Sequence, residues 1–412
     1  METAGKNKGA ETRGTACPSC GEAGRTAALY RAENIPAQST VLLPDADTAG
    51  AFPSGNMALH WCPACGLAFN AEFDPGLVTY GDGYEDSQSH SQTFAGFAGR
   101  LAQDWAGRYG LAGRRILEIG CGGGDFLRLI CAAAGARGTG YDPACRPGRA
   151  LEPAENIRIH PEYFTSKHVP ADADFIVCRH TLEHVGDVSG FLRLVRRACK
   201  SRAVRLGFEV PDLRRILAEG AFWDIYYEHA SYFTAGSLSR AFALAGFNVL
   251  QVRRVYQDQY LVLDAAPAGA APDPLPPEAD DAADTAALIA HFTAEATRRI
   301  AAWKARFTAW QQAGKRIALW GSGSKAVGFL TTIGLPGSVV CVADINPARQ
   351  GAYMPGCPMP IISPDDLPGF APDVVIVMNP VYREEITAAL TLRGLAPEVC
   401  TANDGPSERV PA

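Results

Sequence analysis

Short apolar runs alternate with amphipathic stretches along most of the chain. Four runs have the length of strands and little internal polarity: "RRILEIG" (114–120), "GARGTGYD" (135–142), "ADFIVCRH" (173–180) and "VRLGFEV" (204–210). Between them, "GDFLRLICAAAGA" (124–136) and "SGFLRLVRRAC" (189–199) repeat their apolar residues at helical spacing. This alternation predicts an α/β unit built on a parallel sheet. A longer helix is predicted over roughly 284–313, with Leu288, Phe292, Ile300, Trp303 and Phe307 near helical spacing. A second α/β unit follows it. "KRIALWGSGSKAVGFLTTIG" (315–334) reads strand, Gly-rich turn, helix, and "VVCVADIN" (339–346) and "PDVVIVMNP" (372–380) are further buried strands.

With 412 residues, 47% of them hydrophobic, the chain exceeds one small core. The expected division is a disordered tail over 1–16 and a Cys-bearing block of short strands and turns over 17–89. An α/β domain over 90–265, a Pro- and acid-rich linker over 266–284 and a C-terminal Rossmann-like domain over 285–412 complete it. The net charge of -6 argues against nucleic acid and anionic membranes as partners. The first sixteen residues have no apolar core of a signal peptide, and no run approaches the roughly 18 apolar residues of a membrane span. The expectation is a soluble cytoplasmic protein, whose twelve Cys sit in a reducing compartment where close pairs suggest metal.

Two such pairs stand in the first block. "CPSCG" places Cys17 and Cys20, and "CPACG" places Cys62 and Cys65. Each hook offers two thiolates, and four close a tetrahedral zinc site with no free position for substrate, so the predicted role is structural. Four ordinary buried thiols are the alternative.

The strand at 114–120 runs into "LEIGCGGGDF". Gly120, Gly122 and Gly124 let the backbone approach a ligand, Glu118 precedes them, and Asp142 ends the next strand, where its carboxylate can accept from both ribose hydroxyls. The loop alone leaves NAD open. Its G-x-G-x-G spacing resembles motif I of class I methyltransferases, which implies S-adenosylmethionine. "CRHTLEHV" extends that resemblance, with His180, Glu183 and His184 expected to line the cofactor cavity and His180 to contact the cofactor.

"FWDIYYEHASYF" clusters Tyr226, Tyr227, Glu228, His229 and Tyr232. Such a cluster reads either as aromatic core or as an orientable base with donors beside it. The succession of Cys hooks, motif I, Y-x-E-H, "GSGSKAVGFL" and "DINPARQGAYMPG" resembles the C-methyltransferases of nucleotide-linked 4-keto-deoxysugars, over almost everything after Ala16. The resemblance implies that 90–265 is the S-adenosylmethionine-dependent methyltransferase domain. It implies that His229 is a base oriented by Glu228, and that Tyr226 and Tyr84, with Tyr80 as substitute, are active-site tyrosines. Gly321, Gly323 and Lys325 would hold the nucleotide phosphates of the substrate, with Asp344 closing the next strand; a purely structural Rossmann unit is the other reading of that turn. Tyr227 stands where members of the family often carry His. The alternatives for the whole are methyl transfer to O, N or C of another small molecule, and a cofactor-binding scaffold without transferase activity.

Overall fold

A computed structural model describes residues 16–81, 83–145, 154–270 and 272–404. The expected tail over 1–16 lies outside the described residues except for Ala16. No helix among the described residues is long and apolar enough to cross a membrane.

The middle of the chain forms a seven-stranded sheet. Its order is Phe247–Val255, Tyr260–Pro267, Arg205–Pro211, Phe175–Arg179, Arg115–Ile119, Arg137–Tyr141, Ile157–His160. The four apolar runs read from the sequence are its parallel centre. Their central positions are largely apolar on both faces because helices cover both sides of the sheet. Ile116, Phe175 and Val177 pack with Trp105, Leu127 and Ile130 on one side. Leu117, Ile119, Ile176 and Cys178 pack with Leu192, Val195 and Phe242 on the other. The sheet is not wholly parallel, as the alternation suggested. Tyr260–Pro267 runs antiparallel to both neighbours. The chain reverses through residues 256–259, with Tyr256, Gln257 and Asp258 at positive φ, and so short a connection permits only an antiparallel return. This is the class I methyltransferase core.

The long helix is Ala282–Gln312, and beyond it five parallel strands lie in the order Ile361–Ile362, Val339–Ala343, Ile317–Trp320, Val374–Val377, Glu398–Thr401. The stretch read as a linker is partly held in place. Ala268, Ala279 and Asp281 are buried, and Asp281 accepts from the Gly236 N–H at 2.7 Å and from Arg240 at 3.2 Å.

The Cys-bearing block is a small antiparallel sheet of Ala27–Pro36, Ser54–Trp61 and Ala68–Asn70, and its fourth strand comes from elsewhere. Ser231–Tyr232 pairs with Ala68–Asn70 in the register Ala68↔Tyr232 and Phe69↔Ser231. The Asn70 N–H also donates to the Ala230 carbonyl at 2.9 Å. The segment bearing His229 is thereby sewn to the chain just after Cys65.

Tyr227 secures the same junction. It is buried, and its hydroxyl accepts from the Asp74 N–H at 2.6 Å. Gly55 leaves room for its ring: a Cβ there would lie 2.3 Å from Tyr227 Cε2. Gly55→Ala is therefore expected to destabilise the protein by about 1–3 kcal/mol through overpacking and to lower turnover, because the ring it displaces adjoins Glu228 and His229. Denaturant unfolding with steady-state kinetics checks this; unchanged stability would show that the ring moves aside without strain.

Candidate active site

The four cysteines of the hooks converge. All are free thiols, with Cys17 Sγ 3.5 Å from Cys65 Sγ and Cys20 Sγ 3.7 Å from Cys62 Sγ. A disulfide would bring sulfurs to about 2 Å. Tetrahedral zinc at the usual Zn–S distance of about 2.3 Å separates its thiolates by about 3.8 Å, so the donor set fits that ion. The cluster lies beside the Ala68–Asn70 strand, remote from the Gly-rich loops in sequence but joined to them through the pairing just described.

Both Gly-rich loops open onto one cavity of about 860 Å³. On one wall, the carboxylate of Asp142 accepts from the Gly122 N–H at 2.8 Å and from the Ala144 N–H at 2.7 Å. Gly120 and Gly122 line the cavity and both have positive φ. Gly124 does another job. It precedes the helix Asp125–Ala134, and a Cβ there would strike Ile159 at 2.4 Å, so this glycine lets helix and sheet pack closely. Glu118 is buried, with Oε2 lacking any hydrogen-bond partner. Burial pushes its carboxyl up to about 8, against the opposing charge of Arg179. A buried carboxyl without a partner beside a loop open to ligand would ionise against a bound cation, which suits the ammonium group of S-adenosylmethionine.

The second loop repeats the first in outline. Asp344 accepts from the Ser322 N–H and the Asn346 N–H, each at 2.8 Å, as Asp142 does from its own loop. Gly321 and Gly323 line the cavity. Lys325 lines it too, but its ammonium is paired with Asp224; Arg215, the second cation on Asp224, is itself paired with Glu219 at 2.8 Å. The free cation expected for a phosphate is thus already balanced. Asp224 reaches it because the turn Phe222–Asp224 packs directly on the helix Ser324–Ile333, where a Cβ at Gly328 would meet the Trp223 carbonyl oxygen at 2.9 Å. Arg349, a residue to which the sequence assigned no role, donates to the Ser322 carbonyl at 2.9 Å and to the Glu85 carbonyl.

Between the loops sit Tyr226, Glu228, His229, His184, Tyr80 and Tyr84, all on the cavity wall. His229 is buried, its ring 4.3 Å from that of Tyr226 and 4.8 Å from that of His184. Burial holds its pKa well below the ordinary imidazole value, helped by His184, His180 and Lys325, so the ring is neutral at neutral pH. Its Nδ1 has no hydrogen-bond partner. Glu228, expected to orient His229, is turned elsewhere. Its Oε2 accepts from the Ser39 N–H at 3.2 Å and from the Ser39 hydroxyl at 3.3 Å, while Oε1 lies 3.7 Å from His184 Nδ1. The Ser39 and Ser324 hydroxyl oxygens are 2.7 Å apart, so one serine touches all three blocks. A lone Ser in "PAQST" gives no sequence signal for this.

Tyr80 and Tyr84 stack edge-to-face at 5.1 Å, and the Tyr80 hydroxyl is 3.0 Å from His184 Nδ1. Burial, reinforced by Glu228, keeps the Tyr84 phenol protonated. His180 has a left-handed backbone, φ 48°. Burial alone would neutralise it, but Glu209, 3.0 Å away, and Glu183 raise its pKa and hold it as a cation. Glu209 also accepts from Arg179 at 2.7 Å. His180 therefore lines the cofactor side of the cavity as half of a compensated ion pair.

Residues 94–252 match the family described as Methyltransferase domain, and residues 270–393 the family described as C-methyltransferase C-terminal domain. The chain is similar to the C-methyltransferase NovU of Streptomyces niveus, 27% identical over 299 residues that cover 68% of this chain and 70% of that protein. It is also similar to the ubiquinone biosynthesis O-methyltransferase of Aromatoleum aromaticum, 39% identical over 109 residues. That match covers 23% of this chain and spans less than half of that relative, 46%. Among solved structures, the 1,6-didemethyltoxoflavin-N1-methyltransferase of Burkholderia thailandensis aligns with a TM-score of 0.35 and 18% identity, over 42% of this chain and 79% of that one.

Two outcomes are expected. Asp142→Ala removes a charged acceptor from the first loop and should weaken S-adenosylmethionine binding by about 1.5–3 kcal/mol in calorimetry; unchanged affinity would place the ribose contact elsewhere. Metal analysis of dialysed protein should find one tightly held zinc per chain, lost together with stability in Cys62→Ser. Full zinc retention by that variant would remove Cys62 from the ligand set.

Proposed function

We propose, from the premise that this chain is an S-adenosylmethionine-dependent methyltransferase, that it methylates an acidic carbon beside a ketone, on a nucleotide-linked keto-deoxysugar. The observation that carries this reading is His229: a buried, neutral imidazole with an unpartnered Nδ1, set between two cavity walls that each end in a Gly-rich loop. Oxygen and nitrogen acceptors need positioning above all, whereas a carbon acceptor must first lose a proton to a base. The match of residues 270–393 to a C-methyltransferase C-terminal domain and the similarity to NovU support it.

In this mechanism the neutral His229 takes the proton from the carbon next to the ketone. The hydroxyls of Tyr226 and Tyr84, kept protonated by burial, are the donors available to the enolate oxygen. S-adenosylmethionine supplies the methyl group on a sulfonium that is its own leaving group. Glu118, Gly120, Gly122 and Asp142 hold the cofactor on one wall, and Gly321, Gly323 and Lys325 bound the space for the nucleotide on the other. Because Lys325 is already paired, hydrogen bonds from the second loop would have to supply most of the phosphate recognition. Zinc on the four cysteines is structural and takes no part in the reaction. A second reading is transfer to an oxygen, nitrogen or other carbon of another small molecule; the similarity to ubiquinone biosynthesis O-methyltransferases over the cofactor domain favours it.

His229→Ala should still bind S-adenosylmethionine, yet lose both methyl transfer and solvent-deuterium exchange of the acidic C–H of a nucleotide-linked 4-keto-deoxysugar, by about 10²–10⁴-fold. Because its pKa is lowered, the wild-type base is in its active form throughout the neutral range. The acid limb of kcat/KM should therefore lie well below pH 6.5, and a limb centred on an ordinary imidazole would count against the assignment. Wild-type turnover without any C–H exchange would favour the heteroatom reading.

A further inference from the structure

Base chemistry at His229 leaves part of its surroundings unexplained. Ligand-capable atoms of Glu183, His184 and His229 all lie within 4.8 Å of one another. They come from two segments, the turn Leu182–His184 after the strand Phe175–Arg179 and the stretch leading into Ser231–Tyr232. Glu183 is 1% exposed, and its Oε2 has no hydrogen-bond partner; His229 is 5% exposed, and its Nδ1 has none. Two buried polar atoms left unpaired in one cluster carry a desolvation penalty that a bound ligand would relieve.

The surroundings of the third residue fit the same occupant. His184 turns Nδ1 toward the Tyr80 hydroxyl at 3.0 Å and the Glu228 carboxylate at 3.7 Å, which leaves its other ring nitrogen for the cluster. A ligating histidine characteristically has such a partner, often a carboxylate, on its second nitrogen. Two imidazoles and one carboxylate, beside an open cavity that leaves coordination positions free, make a donor set for borderline transition ions such as zinc or cobalt(II). Magnesium and calcium prefer all-oxygen shells. His180 Nδ1, 3.6 Å from Glu183 Oε1, competes with an ion for that carboxylate, so the site should hold metal more weakly than the four thiolates.

We propose that Glu183, His184 and His229 form a second, exchangeable metal site for a divalent zinc-class ion, and that an ion bound there and proton abstraction by His229 exclude one another. The second half rests on His229 being the base: a neutral imidazole has one nitrogen lone pair, and a ring that ligates an ion through it cannot also take a proton. Binding involves no redox change and no covalent step. The enzyme would then have a metal-capped resting form, inactive until the ion leaves.

The test uses intact protein with zinc already on the four cysteines, titrated with cobalt(II). One further equivalent should bind, with visible d–d absorption and no near-ultraviolet thiolate-to-cobalt charge-transfer band, since no sulfur is in the set. Magnesium should not compete. Glu183→Gln and His184→Asn should each weaken this binding at least tenfold while keeping the zinc on the four cysteines and a wild-type cooperative thermal unfolding transition, which certifies the fold. The wild-type spectrum decides without any variant: absence of a further equivalent, or a charge-transfer band in it, overturns the site. Equal binding by both variants overturns it as well. With the site established, deuterium exchange of the keto-sugar should fall in proportion to cobalt occupancy and return on mild chelation. Undiminished exchange at saturation would leave the site standing but overturn the exclusion, and with it the assignment of His229 as base.

Discussion

The active site depends on a two-residue strand. Ser231–Tyr232 joins the sheet of the N-terminal block at Ala68–Asn70, and this pairing sets the position of the Y-x-E-H stretch immediately before it. So short a pairing has little stability of its own. It is reinforced from the other side by the cysteine cluster, whose last member, Cys65, lies three residues before Ala68. A metal held by that cluster would have a purpose beyond folding a core-poor block. It would fix an edge onto which the stretch bearing His229 is sewn, and Tyr227 packed against Gly55 holds the same junction.

Around this seam the buried charges are compensated in separate groups. Arg179, His180 and Glu209 form one, and Arg215, Asp224 and Lys325 another. Each has a second carboxylate at its edge, Glu183 on His180 and Glu219 on Arg215, so that two cations face two carboxylates in both groups. Among the buried side-chain atoms without a hydrogen-bond partner, those of Glu118, Glu183 and His229 belong to residues on the cavity wall. Buried polar atoms without partners on a cavity wall are positions where a bound ligand can complete the hydrogen bonding. Ser39, touching Glu228 and Ser324 together, ties the three blocks around that centre.

The central strands were legible in the sequence because burial on both faces favours short apolar runs. Phe175–Arg179 and its neighbours could therefore be located without a template. The direction of Tyr260–Pro267 was not legible, since periodicity reports burial and not orientation. Glu118 and Asp142 were legible from spacing along two adjacent strands. Lys325 illustrates the limit: its place in a Gly-rich turn suggested phosphate, yet Asp224, 101 residues earlier, takes its charge. Glu228 was misassigned as the partner of His229 for the same reason, because adjacency in sequence says nothing of where a side chain turns. Ser39 carried no signal at all.

The central claim is that the cysteine cluster holds the catalytic stretch in place through the Ser231–Tyr232 seam. Native-state amide hydrogen exchange, with zinc bound and after its removal, tests it most directly. The account predicts that removal sharply raises exchange at Asn70 and across 226–234, while 115–119 and 175–179 keep their protection. Unchanged protection across 226–234 in the zinc-free protein would contradict it.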